Sequence, residues 1–169
     1  MKKYSCLVRS IIVSLTIFLT PVLITAQSMS VFDYLATQEI SEVTITTDLT
    51  HLLELEGKED QKAVLSFINA ADELEAWDIK LSARGKFRLR ICEFPPLKLD
   101  FSKDDLSNRG FADFDKYKLV THCQENRQEA KEAVLREYTT YQMYNALTPA
   151  SYETFLLSID YVDSEGKVG

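Results

Sequence analysis

The stretch RGKFRLRICEFPPLKLDF, residues 84–101, decides how this chain is read. Gly85 permits a tight reversal, and on either side of it apolar and polar residues alternate as they do in half-buried strands. Before it, Trp77, Ile79, Leu81 and Ala83 face away from Asp78, Lys80, Ser82 and Arg84. After it, Phe87, Leu89 and Ile91 alternate with Lys86, Arg88 and Arg90. The pattern predicts a hairpin whose polar face carries a basic ladder of Arg84, Lys86, Arg88 and Arg90. Such a ladder either meets an anion or is a solvated face balanced by acidic neighbours. Pro95-Pro96 ends it, because proline cannot donate to a sheet; Leu97, Leu99 and Phe101 then open a further strand with Lys98 and Asp100 on its other face.

Toward the C-terminus, Ser102 and Asp105 have the spacing of a capping pair for a brief helix ending at Gly110, and Tyr117–Thr121 fits another strand. The longest helix follows, with Asn126 and Glu129 marking its start and Thr148-Pro149 its end. Along it Ala130, Val134, Tyr138, Tyr141, Tyr144 and Leu147 recur at steps of three and four, the spacing of a stripe packed on a core. Phe155, Leu157, Ile159 and Tyr161 alternate in a last strand, and Asp163-Ser164-Glu165-Gly166 makes a turn. A hairpin turn so close to Gly169 reads either as an interrupted fold or as a polar, frayed tail.

Toward the N-terminus, Val43, Ile45, Thr47 and Leu49 alternate with Glu42, Thr44, Thr46 and Asp48 as a strand does. Asp48 can cap a short helix that Gly57 ends; His51 in that helix is expected at the surface or the core edge. Lys62–Ile68 suits a strand and Asn69–Glu73 a turn. The expected fold class is therefore α+β, a mostly antiparallel sheet with one long C-terminal helix packed on it. One domain is expected over residues 40–169, and residues 27–39, which lack periodicity, read as a tether.

Residues 1–26 carry Lys2, Lys3 and Arg9 ahead of an apolar run from Ile11 to Ile24, closed by Thr25-Ala26-Gln27. That is the layout of a secretory signal peptide, too short to span a membrane, so cleavage after Ala26 and no transmembrane anchor are expected. Removing it takes three cations and no carboxylate from a formal charge of -7, leaving -10. So acidic a balance opposes nonspecific binding to nucleic acid or anionic lipid. Export would place Cys92 and Cys123 in an oxidising compartment, where a disulfide is the natural reading and two buried free thiols the alternative. No zinc site is expected, since His122 beside Cys123 is not at a ligand spacing.

Four segments carry a resemblance: Arg84-Gly85; Cys92-x-Phe94-Pro95-Pro96-Leu97-x-Leu99-x-Phe101; Lys118-Leu119-Val120-Thr121-His122-Cys123; and Arg136-Glu137-Tyr138. Together they resemble uncharacterised secreted proteins of Bacteroidota-type bacteria. More distantly, they are similar to the N-terminal part of the spore-coat CotH kinase family, which shows an R-G motif, a Pro-Lys-rich strand and a long helix in that order. The resemblance spans residues 40–169 and implies a β-rich N-lobe, ATP and magnesium as cofactors, and a separate helical C-lobe holding the catalytic and metal-binding aspartates. No catalytic residue and no metal ligand carries over, because no such segment precedes Gly169. What it implies here is a nucleotide grip: Lys98 or Lys118 on the phosphates, oriented by Glu137, with Arg84 nearby. The chain has five glycines and no Gly-rich phosphate loop.

Two functional expectations follow, both for a secreted, periplasmic or surface protein. One is an N-lobe-like domain, inert as an enzyme by itself. The other is an envelope binding module for an unidentified protein, glycan or small molecule. A hydrolase is disfavoured by the lack of G-x-S-x-G and H-E-x-x-H.

Overall fold

A computed structural model describes residues 28–54, 59–124 and 128–167. The expected signal peptide, Gly57 and Asn126 lie outside them. Six strands form one sheet: β1 Glu42–Thr47, β2 Gln61–Ile68, β3 Leu74–Ala83, β4 Leu97–Phe101, β5 Lys116–Leu119 and β6 Ser158–Asp163. Their order is β5-β4-β3-β2-β1-β6, antiparallel throughout except that β6 runs parallel to β1. The helices are α1 Val31–Thr37, α2 Leu49–Glu54, α3 Arg88–Ile91, α4 Lys103–Asn108 and α5 Gln128–Leu147. The fold is α+β, as the alternation implied.

The strand faces follow the period of two. Val43, Ile45 and Thr47 on β1, Ala63, Leu65 and Phe67 on β2, Trp77, Ile79, Leu81 and Ala83 on β3, and Leu97, Leu99 and Phe101 on β4 are all buried. The sheet curls around this face until its two edges approach one another. Phe32 of α1 packs both on Tyr117 of β5, ring centroids 6.5 Å apart, and on Phe155 just before β6, at 4.7 Å. Phe94, ahead of β4, meets Tyr161 of β6 at 4.5 Å. Burial of Tyr161 among these rings pushes its hydroxyl pKa well above the usual tyrosine value.

Turn chemistry is local and behaves as expected. Asn69 Oδ1 accepts from the backbone N–H groups of Ala71 and Glu73 at the β2–β3 hairpin. Asp48 accepts from His51 N at 2.9 Å to cap α2, and Ser102 accepts from Asp105 N to cap α4.

Three expectations are corrected. Of the tether expected over residues 27–39, the described part from Ser30 on is packed instead: α1 starts with a capping box between Ser30 and Asp33, and its Val31 and Leu35 are 1% and 6% exposed. Its apolar residues fill the mouth of the curled sheet, a site that exists only once the distant strands have paired. Residues 87–91 are not a strand: Arg88–Ile91 form α3 with Phe87 at its N-cap, and Gly85 at φ 90 leads into a helical turn rather than a hairpin. The place beside β3 goes to β4, because Leu97, Leu99 and Phe101 bury completely there while Phe87 and Ile91 stay in water. Finally, the aromatic stripe of α5 is not core: no residue of this 20-residue helix is fully buried. Val134, Tyr138 and Tyr141 are half-buried, and Leu147 is 82% exposed.

Cys92 and Cys123 have their sulfurs 2.10 Å apart, bonding distance. Beside them Phe94 N donates to Cys123 O at 3.2 Å, and Thr121 Oγ1 donates to Phe94 O at 2.9 Å. The link fastens the segment between α3 and β4 to the segment between β5 and α5.

Candidate functional site

Among the described residues, no ion pair joins Glu137 to Lys98, Lys118 or Arg84, the other residues singled out for a nucleotide grip. Lys98 and Lys118 are register partners on β4 and β5, on the outer face of the sheet. Lys98 Nζ lies 2.9 Å from Asp60 and 3.9 Å from Asp100. Hydrogen bonds from Lys98 and Ser82 hold the Asp60 carboxyl below the usual aspartate range. Lys116 shares Asp100 at 3.5 Å and meets Asp115 at 2.7 Å. Lys98 therefore belongs to a braced surface network.

Glu137 projects from α5 and pairs with Arg88 of α3 at 3.6 Å, not with either lysine. Arg84 is half-buried, and its backbone N–H donates to Pro96 O at 2.7 Å, which positions the chain ahead of β4. Lys118 sits over the ring of Tyr152, Nζ 5.2 Å from the centroid. The Glu137–Arg88 pair ties α5 to α3, and the Lys118–Tyr152 contact ties the segment after α5 to β5.

That segment builds a groove. After Thr148-Pro149 stops α5, the chain folds back along the helix. Gln142 Nε2 donates to the carbonyl of Thr154 at 2.8 Å and Ser151 Oγ donates to Asn145 Oδ1, while Tyr141 and Tyr152 meet edge to face at 6.1 Å. Between the helix and the returning segment lies an open groove of about 670 Å³, lined by Glu137, Thr140, Tyr141, Tyr144, Ser151 and Tyr152. Tyr144 and Tyr152 are 54% and 66% exposed, so two aromatic rings stand beside a carboxylate and two hydroxyls. Flat apolar rings with a few convergent polar groups are the usual composition of a small-molecule or sugar subsite.

The groove was missed from sequence because its tyrosines keep the spacing of a core stripe. One signal was available: Tyr138, Tyr141, Met143, Tyr144 and Leu147 surround more of the helix than one face of a sheet can cover. Among the described residues there is no cluster of His, Cys, Asp and Glu able to hold a metal ion, and no helix long and apolar enough to cross a membrane. Comparison with known proteins finds no matching family model, no matching curated protein and no matching solved structure.

Proposed function

We propose that this protein is an exported, noncatalytic binding module of the cell envelope that takes a glycan along the groove between α5 and residues 150–154. The observation that carries this reading is the pair of exposed tyrosine rings set beside Glu137, Thr140 and Ser151 in one concave surface. A pyranose offers a flat C–H face to stack on Tyr144 or Tyr152 and hydroxyls to donate to the Glu137 carboxylate. An N-lobe-like nucleotide grip has less support, since Lys98 is engaged by Asp60 and Asp100 and, among the described residues, Glu137 pairs with neither Lys98 nor Lys118. The test is a glycan array followed by titration of the best oligosaccharide. Tyr144→Ala with Tyr152→Ala should lower affinity at least about tenfold, the loss of one stacked ring or more. No glycan bound, or binding unchanged in the double variant, sinks the reading; a thermal shift with ATP and magnesium that Lys98→Ala removes would favour the nucleotide grip instead.

A further inference from the structure

The basic segment at residues 84–91 becomes, in the folded chain, a single projecting turn with two faces. Leu89 packs against the hydrophobic core and anchors it. Phe87 and Ile91, four positions apart and so on one side of a helical turn, point the other way and are 71% and 51% exposed. Lys86 and Arg90, also four apart, stand exposed beside them, with Arg84 and Arg88 half-buried at the base. The segment holds these four cations and no carboxylate, in a chain whose formal charge is -7. Among the described residues Lys86 and Arg90 form no ion pair, whereas Lys98, Lys103, Lys116 and Arg109 each meet an aspartate. The bond between Cys92 and Cys123 fixes the base of the turn immediately after Ile91.

We propose that this turn docks on the surface of an anionic lipid bilayer, independently of what the α5 groove binds. Phe87 and Ile91 enter the boundary between headgroups and acyl chains, while Lys86 and Arg90 meet headgroup phosphates. A bilayer matches both features at once: an apolar layer for the tip lies directly beneath an anionic layer for the collar. A soluble polyanion would use the cations and leave Phe87 and Ile91 in water. The negative charge of the rest of the chain does not prevent the contact, because charges more than about 10 Å from the surface are largely screened at ordinary salt. It does make the contact local, salt-sensitive and dependent on this turn.

The experiment places a reporter at the tip, since Trp77 is buried in the core and the chain has one tryptophan. With Phe87→Trp in the otherwise intact protein, vesicles containing phosphatidylglycerol should shift the new emission to the blue, and brominated acyl chains should quench it. Pure phosphatidylcholine vesicles should do neither. Lys86→Glu with Arg90→Glu in that background should weaken the response to anionic vesicles by about thirtyfold, with circular dichroism unchanged. Absence of the shift, or an equal shift on both vesicle types that ignores the charge reversal, overturns the proposal. So does heparin competing fully while the tip stays unquenched, which would assign the turn to a soluble polyanion.

Discussion

Replacing Leu35 by alanine tests whether α1 belongs to the fold. The side chain is 6% exposed, one turn after Val31, in a helix whose Phe32 and Tyr34 pack on Phe155 and Phe111. Truncation removes three carbons from the apolar interior, worth about 2.4 kcal/mol of transfer free energy at roughly 0.8 kcal/mol for each. A cavity adds to this; a seven-residue helix at the mouth of the sheet can settle inward, so the total belongs in the lower half of the usual 2 to 5 kcal/mol range. The expected loss is about 2.5 to 3.5 kcal/mol. Ser30→Ala should cost about 1 kcal/mol more, because it removes the cap that accepts from Asp33 N. Urea unfolding followed by circular dichroism measures both, with a lower midpoint and an unchanged slope. A loss below about 0.5 kcal/mol for Leu35→Ala is what a surface tether would give, and would refute the placement of α1 in the core.

Replacing Cys92 and Cys123 together by serine should destabilise the protein by about 3 to 4 kcal/mol, the chain-entropy value for a separation of 31 residues. Equal unfolding midpoints with and without reductant would rule that contribution out. Asp60, whose pKa is lowered in the folded state, adds stability that is fully present above the ordinary aspartate range and is lost as pH falls through its folded value. Lys98→Met should raise the Asp60 carboxyl pKa toward the ordinary value in an NMR titration and flatten the acid limb of stability; an unmoved titration would mean that Lys98 does not hold it.

Much of the sheet was legible in the residues. The alternation at Val43–Thr47, Trp77–Ala83 and Leu97–Phe101 gave the buried faces correctly, because side-chain direction in a strand depends only on the strand's own period. Caps at Asp48 and Ser102 and the turn at Asn69–Glu73 were equally local. Less of the candidate site was legible. Lys98 and Lys118 do lie side by side, but Asp60, which pairs with Lys98, and the ring under Lys118 come from other segments. The tyrosines of α5 carried the right spacing for a helix and no sign of what would cover them.

By itself, then, the chain's own residue order determined which faces of β1, β3 and β4 are apolar and where α2 and α4 are capped. Tertiary structure decided the competitions. Residues 87–91 and 97–101 both alternate, and only one could lie beside β3; the segment that buries three apolar side chains took the place, and the other was left as a projecting turn. Val31 and Leu35 found a core only where the two edges of a curled sheet converge, a site assembled by strands far apart in the chain. Burial is a property of the surface a residue meets, and for α1, α3 and α5 that surface is built elsewhere.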